Sequence, residues 1–304
     1  MTAAMPKTLD EYLAQLRQAL AGADPALIQD ALYDAEEHVR AEMAEHPGMD
    51  PETLLAKIAG SYGAPDEVAE IYRDQEVRLA RALRTPRPPV RKSPIGRFFG
   101  VAADPRAYAA LFYMLLSLAT GIFYFTWAVT GTSLSLGLSV LIIGLPFIVL
   151  FIGTVRVLAL VEGRIVEVML GERMPRRPIH PPRDRHLLSR IANMFRDPRT
   201  WSTLLYMVLM LPLGIFWFVL AVVGTVVPVA LVVAPIVHGL WAIGWVDFGT
   251  GAEVSFPTDV SPLVVEPLMV VAGVLLLFAM LHVARGVGRF QGALAKGLLV
   301  RSGD

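Results

Sequence analysis

Apolar residues in the first 83 positions recur with the three-to-four-residue spacing of helices and are separated by turn signals. Short polar residues precede the first three apolar runs, as helix N-caps do: Thr8, Asp24 and Asp50. Glycines follow the same three runs: Gly22, Gly48 and Gly63. The apolar positions expected in a shared core include Leu16, Leu20, Val39, Met43, Ile58, Val68 and Ile71. The pattern predicts four short amphipathic helices that form a small domain over residues 1–83.

Two long apolar segments in the rest of the chain begin with the same three residues, Asp-Pro-Arg, at positions 104 and 197. Residues 104–132 and 197–225 lie 93 positions apart and are identical at 16 of 29 positions. Self-similarity at a fixed offset indicates a duplicated structural unit. Each copy carries about 20 uncharged residues, which is the length that crosses a bilayer. The sequence therefore predicts an all-α fold, in which a four-helix transmembrane bundle is built from a tandem, parallel two-span repeat.

The first repeat, 104–171, is predicted to hold spans over about 108–131 and 134–160. Thr132-Ser133 is interpreted as the turn between these two spans, and Pro146 is placed inside the second span.

The second repeat, 197–301, is predicted to hold spans over about 201–224 and 263–284, separated by an outer insertion over 226–262. The apolar part of the insertion, 226–245, has two interpretations, a broken continuation of the third span and a re-entrant segment.

Two basic segments are predicted to connect these parts. Residues 84–103 form a Pro-rich linker before the first repeat, and residues 172–196 form a second linker before the second repeat. Within the second linker, residues 187–195 have the pattern of a short interfacial helix.

The net charge of the whole chain is zero, but its two halves have net charges of opposite sign. Residues 1–85 carry 16 Asp and Glu against 8 Lys and Arg, a balance of −8, and the remaining residues balance this at +8. Lys and Arg are absent from 107–155 and from 200–284. By the positive-inside rule, both termini are expected in the cytoplasm, with four crossings of the membrane. The first residues show no basic region before an apolar core, so we expect no signal peptide.

The candidate chemistry is sparse. The chain has no cysteine, which excludes disulfides, thiol catalysis and thiolate metal sites. No catalytic motif is found, so we expect no enzyme activity, cofactor, metal site or direct nucleic-acid binding.

The outer insertion is the best candidate for a ligand site, through His238, Trp241, Trp245, Asp247, Glu253 and Asp259. The alternative is that the tryptophans anchor the bilayer interface and the acids face water.

The N-terminal helices contain a second group of candidate functional residues, which could bind a partner. Glu11-Tyr12-Leu13, Tyr33, Glu36-Glu37-His38 and the stretch 62–69 resemble the helical domain associated with ABC transporters and sensors, over roughly residues 8–75. This resemblance implies a cytoplasmic position at the N-terminus of a bacterial membrane protein and a protein partner. The candidate partner-binding residues are Glu36, Glu37, His38, Tyr62, Gly63 and Pro65. A solvated helix face is the alternative interpretation of Glu36-Glu37-His38.

The membrane half, roughly 95–300, is similar to the sensor domain found ahead of bacterial sensor kinases. The similarity rests on Asp-Pro-Arg-x-Trp at 197–201, Leu-Pro-Leu-Gly at 211–214, Gly-Leu-Pro at 144–146 and Leu-Gly at 170–171. No kinase or DNA-binding pattern occurs in the chain, so the output is expected to come from the N-terminal domain or a partner.

These features predict a non-catalytic membrane sensor that relays membrane or extracytoplasmic state to a cytoplasmic protein. A PadR-type regulator and an ABC ATPase are both compatible partners, and so is a second copy of the chain. The alternative function is a transporter-associated membrane subunit, such as a permease partner of an ABC system. The absence of charges between 107 and 155 favours sensing, because a transport path is usually lined by polar groups.

Overall fold

The computed structural model describes residues 5–82, 93–141, 144–175, 197–245 and 261–300. Every regular element within these ranges is a helix, which confirms the all-α class. The chain forms two compact units. The first comprises Met1–Pro86, Gly131–Tyr206 and Gly292–Asp304, and the second comprises Arg87–Thr130 and Met207–Gln291. The predicted interfacial helix at 187–195 lies outside the described residues.

The first unit begins with four short helices, α1 Leu9–Ala19, α2 Pro25–Glu45, α3 Pro51–Ser61 and α4 Pro65–Ala82. The three predicted N-caps form as expected. Thr8 Oγ1 accepts from Glu11 N at 3.2 Å, Asp24 Oδ1 from Ala26 N at 2.9 Å, and Asp50 Oδ2 from Thr53 N at 3.4 Å. Each cap satisfies a backbone donor that the first helical turn leaves without a partner. The small N-terminal helical region is therefore confirmed.

These helices enclose one apolar core, in which α1 packs against α2 and α4. Its buried side chains include Tyr12, Leu16, Leu20, Leu27, Ala31, Val39, Leu54, Ile58 and Val68. The predictions for Met43 and Ile71 are wrong, since these side chains are 40% and 50% exposed. The buried face of α2 runs through Leu27, Ala31, Ala35 and Val39. Met43 follows the same four-residue spacing but lies on the last turns of α2, where its side chain is exposed.

The C-terminal part of the first basic linker is helical. α5, Pro94–Phe99, and a 3-10 turn over Gly100–Ala103 lead into α6, Pro105–Leu138. The aromatic rings of Phe98 and Phe99 lie 5.9 Å and 4.7 Å from that of Phe278, which anchors this segment in the second unit.

The predicted turn at Thr132-Ser133 is wrong, because α6 continues through both residues to Leu138 and α7 covers Gly144–Leu170. Hydroxyl side chains are tolerated in apolar helices, since they donate to carbonyls one turn earlier. The turn forms between the two helices, where a Cβ on Gly144 would overlap the backbone of Leu138. Pro146 is the third residue of α7, where its missing N–H removes no helical hydrogen bond.

The outer insertion begins as a continuation of the third span. α8 runs without interruption over Pro198–Ala242 and includes Pro212, Pro228 and Pro235, so the re-entrant interpretation of 226–245 is wrong for its described helical part. A helix of 45 residues is about 68 Å long, which exceeds the bilayer core.

α9, Pro262–Leu299, likewise extends well past the predicted end of the last span. Within the described residues, α6 to α9 are the four helices long and apolar enough to cross a membrane, which confirms the predicted number.

In the second unit, glycines allow close contact between helix backbones. A Cβ on Gly121 would overlap the carbonyl oxygen of Met210, and a Cβ on Gly214 would overlap that of Ser117. A Cβ on Gly273 would lie 2.7 Å from the carbonyl oxygen of Pro228, so α8 and α9 also approach closely. Such contacts are typical of membrane helices, which associate through backbone proximity rather than hydrophobic burial.

Candidate functional site

The described part of the outer segment centres on a polar side-chain contact between α8 and α9. His238 Nδ1 lies 2.6 Å from Oε1 of Glu266, and both side chains are about four-fifths buried. The ring of Trp241 lies 5.9 Å from that of His238. The structure thus places two of the predicted ligand residues, His238 and Trp241, next to each other and adds Glu266.

The remaining predicted ligand residues are not gathered at this pair. Trp245 is 81% exposed and Trp241 is 39% exposed, so both indoles are accessible outside the protein core. Asp247, Glu253 and Asp259 lie outside the described residues.

The predicted partner-binding residues divide into two groups. His38 stacks on Tyr62 with ring centroids 4.3 Å apart, which joins α2 to the end of α3. Glu36 pairs with Arg40 at 2.7 Å, and Glu37 is exposed. Glu37 is therefore the exposed member of this set on α2, while Glu36 and His38 are half-buried.

Gly63 and Pro65 shape the junction between α3 and α4. Gly63 has φ +118°, in the region that favours glycine, and its carbonyl oxygen accepts from Tyr12 Oη at 2.8 Å. Pro65 is buried at the start of α4. Burial raises the pKa of the Tyr12 hydroxyl, and the neighbouring Tyr62 and Glu67 raise it further. The Tyr12 hydroxyl consequently stays protonated and keeps donating to Gly63.

A polar docking surface connects α1–α4 to the rest of the first unit, and sequence reasoning missed it. Lys296 Nζ lies 2.5 Å from Asp24 Oδ2, and Arg199 Nη1 donates to Gln29 Oε1 at 3.2 Å. Arg173 reaches two carboxylates, Asp30 at 3.8 Å and Glu76 at 2.5 Å. In the sequence, only the opposite net charges of the two halves indicated that they could bind each other. Identifying which residues form the pairs requires the structure.

This docking surface is more than a set of surface ion pairs. Asp30 is 6% exposed and Gln29 is 8% exposed, so both are removed from water. Buried polar groups are costly without partners, and these two therefore specify how the helical domain sits on the basic residues.

A cavity of about 40 Å³ lies in the same unit, beside the N-terminus of α8. Its polar lining consists of Arg156, Asp197, Arg199, Thr200 and Thr203. Arg156 Nη2 and Asp197 Oδ2 are 3.4 Å apart, and Asp197 Oδ1 also caps α8 by accepting from Arg199 N at 3.1 Å. Neither arginine was predicted as a site residue.

One cluster on α2 has metal-type donors, with atoms of Glu42, Glu45 and His46 within 4.8 Å of one another. Lys57 Nζ lies 3.0 Å from His46 Nε2, so a cation already occupies the free nitrogen of the imidazole. The contact with Lys57 explains the position of the His46 side chain without a metal.

Comparison with known families agrees with both sequence resemblances. Residues 113–299 match the family described as "Putative sensor", and residues 11–71 match the family described as HAAS. The first match covers more than half of the 304 residues. No curated protein and no solved structure matches the chain.

Proposed function

Because the chain belongs to the Sensor family, we propose that it is a non-catalytic signalling protein of the bacterial inner membrane. In this proposal, the outer ends of α8 and α9 respond to membrane or extracytoplasmic state. The helical domain α1–α4 passes that state to a cytoplasmic protein, for which a PadR-type regulator and an ABC ATPase are the two candidate classes.

The orientation in this proposal follows from charge. The basic residues that contact α1–α4, Arg173, Arg199 and Lys296, all lie in the segments where Lys and Arg are concentrated. Cationic segments are retained on the cytoplasmic side of a bacterial inner membrane. The helical domain and both termini would then be cytoplasmic, and His238 and Glu266 would lie on the opposite side.

The observation that carries the proposal is the continuity of α9. This one helix carries Glu266 near its start, in contact with His238, and Lys296 near its end, in contact with Asp24. Both contacts are made by the same uninterrupted helix. A shift or rotation of α9 at its outer end would therefore displace Lys296 from the helical domain.

α8 supports the same relay. It carries His238 near its outer end and Arg199, which donates to Gln29, at its start. Ser202 Oγ of α8 donates to the carbonyl oxygen of Leu298 of α9 at 2.8 Å. The two helices are thus joined near both ends, and small rigid-body shifts of packed helices are a known means of transmitting a signal.

Distance measurements between spin labels test this relay. The chain has no cysteine, so Glu37→Cys and Val168→Cys, both at exposed positions, give one labelled pair without competing thiols. In nanodiscs, Lys296→Gln should broaden the distance distribution between these labels. His238→Ala, which removes the outer contact, should shift the distribution in the same direction.

Leu136→Ala, at a position 69% exposed, is the matched control and should leave the distances unchanged. A distribution that responds to Lys296→Gln and not to His238→Ala would show that the helical domain docks but receives no signal from the outer ends.

A further inference from the structure

The cavity beside the N-terminus of α8 has two chemically different sides. Its polar side carries two arginines, one aspartate and two threonines, and its other side is formed by apolar residues that include Val155, Leu160 and Leu299. Val155 and Leu299 are 1% and 3% exposed, so the apolar wall is part of the packed interior. A ligand that fits both sides must itself be amphipathic.

The charge of the lining limits the ligand to one negative charge. Arg156 and Arg199 contribute two positive charges, and Asp197 contributes one negative charge 3.4 Å from Arg156. The sum of +1 suits a monoanion better than a dianion, since a second ligand charge would face Asp197 without compensation. Guanidinium groups bind phosphate oxygens in particular, through two parallel hydrogen bonds.

Thr200 gives an independent indication of a ligand. Its side chain lines the cavity and is 5% exposed, yet its hydroxyl oxygen has no hydrogen-bond partner among the described residues. Buried hydroxyls are almost always paired, so such a group calls for an explanation. Thr203, one turn later on α8, also lines the cavity and is 4% exposed.

We propose that this cavity binds the phosphodiester group of an anionic phospholipid. Arg156 and Arg199 would hold the two unesterified oxygens, Thr200 would donate its hydroxyl hydrogen to one of them, and the apolar wall would contact the glycerol end of the acyl chains. A volume of about 40 Å³ accommodates roughly three water-sized groups, which is the size of the phosphate and its two free oxygens. The site does not depend on the proposed relay, because it requires only the described lining of the first unit.

Native mass spectrometry of the full chain in detergent tests the site by counting retained lipids. We expect phosphatidylglycerol to bind at least 10-fold more tightly than phosphatidylcholine, whose choline cation would meet the arginines. Arg156→Gln should remove most of this preference. Arg164→Gln is the matched control, because Arg164 pairs with Glu167 on the same helix and does not line the cavity.

Thr200→Val separates ligand binding from a structural role. The substitution keeps the side-chain shape and removes the hydroxyl, so the lipid-free protein should melt at an equal or higher temperature while phosphatidylglycerol binds several-fold more weakly. Thr154→Val, which removes a hydroxyl that donates to the Phe151 carbonyl, should leave lipid affinity unchanged.

Two results would overturn the assignment. Equal retention of phosphatidylglycerol by the wild type, Arg156→Gln and Thr200→Val would show that the lipid binds elsewhere. Displacement of the lipid by millimolar inorganic phosphate, with the same dependence on Arg156, would assign the cavity to a free phosphate ion instead.

Discussion

Gly121 of α6 lies directly against the backbone of Met210 on α8, so that a Cβ at Gly121 would overlap the Met210 carbonyl oxygen. The reciprocal contact also exists, because Gly214 lies against the carbonyl of Ser117. In the sequence alignment at an offset of 93, Ser117 corresponds to Met210 and Gly121 corresponds to Gly214. The same two positions of each copy therefore contact each other across α6 and α8.

This contact predicts that Gly121→Ala and Gly214→Ala each destabilise the packing of α6 on α8. A methyl group would force two backbones apart, and overpacking of this kind costs about 1–3 kcal/mol. Unfolding of the purified protein in mixed micelles measures the loss. Gly137→Ala and Gly239→Ala in the same two helices are the controls, since nothing lies within 4 Å of a Cβ there. Equal stability of all four variants would show that the backbones are not in close contact.

The second prediction concerns alkaline pH and the helical domain. Burial raises the pKa of Tyr72, and its hydrogen bond to Asp34 raises it further, while burial likewise raises that of Tyr12. An unfolded tyrosine ionises near pH 10. The folded domain binds the proton more tightly, so the stability from these two groups is complete below about pH 10 and falls as pH rises above it.

Far-UV circular dichroism of the wild type, Tyr12→Phe and Tyr72→Phe, recorded between pH 8 and 12, tests this loss. The phenylalanine variants should lose some stability at neutral pH, because the contacts to Gly63 and Asp34 disappear. They should lose less than the wild type on going from pH 9 to 12. A parallel decline in all three proteins would contradict the prediction.

The third prediction is that Arg173→Gln loosens the helical domain. Without the guanidinium, the buried carboxylate of Asp30 and the neighbouring Glu76 would lose their shared cation, at a cost of about 1–3 kcal/mol. Amide hydrogen exchange should become faster along α2. Lys7→Gln is the control, since Lys7 and Glu52 form an exposed pair that is worth little. Unchanged exchange in Arg173→Gln would mean that Asp30 and Glu76 are satisfied by other groups.

Local sequence signals predicted the N-terminal helices well, because caps and breakers act within a few residues. Thr8, Asp24 and Asp50 each bond to a backbone N–H two or three positions later. The turn near Thr132 was misplaced because, in an apolar helix, a Thr-Ser pair does not break helical hydrogen bonding. The predicted interruption within 226–245 is the same kind of error, since proline is tolerated within membrane helices when neighbouring groups satisfy the freed carbonyls.

The candidate sites were predicted less well, because they depend on residues that are distant in sequence. His238 and Trp241 share a helix and were predicted together, but Glu266 is 28 positions away. The docking of Asp24 on Lys296 joins residues 272 positions apart. A charge imbalance indicates that such contacts exist, although it cannot identify the pairs.

The fourth prediction concerns topology, which follows from the distribution of Lys and Arg. With four crossings, fusions after Leu141 and after Gly251 should place a periplasmic reporter outside, and fusions after Arg177 and Asp304 should place it inside. Alkaline phosphatase and green fluorescent protein give opposite signals at each point. An extracytoplasmic signal at Asp304 would exclude both the four-span topology and the cytoplasmic position of Lys296.

The last prediction concerns the outer segment and the class of ligand that it would bind. Trp245 and Trp241 expose their indoles, and the following residues carry Asp247, Glu253 and Asp259 without any Lys or Arg. Aromatic faces next to carboxylates attract quaternary ammonium groups through cation–π contact and long-range charge. Tetramethylammonium is a suitable probe, because it does not partition into the bilayer.

Saturation-transfer NMR of the protein in nanodiscs should detect binding of this cation to the wild type. Trp245→Leu should weaken it about 2- to 30-fold, the range expected for the loss of one cation–π contact. Deletion of residues 248–260, which removes two of the three acids, should abolish binding while membrane insertion stays normal, because the helices supply the packing. Trp127→Leu, at an indole that is 40% exposed on α6, is the matched control. If the deletion variant binds the cation as well as the wild type does, the outer segment is only a connection between α8 and α9.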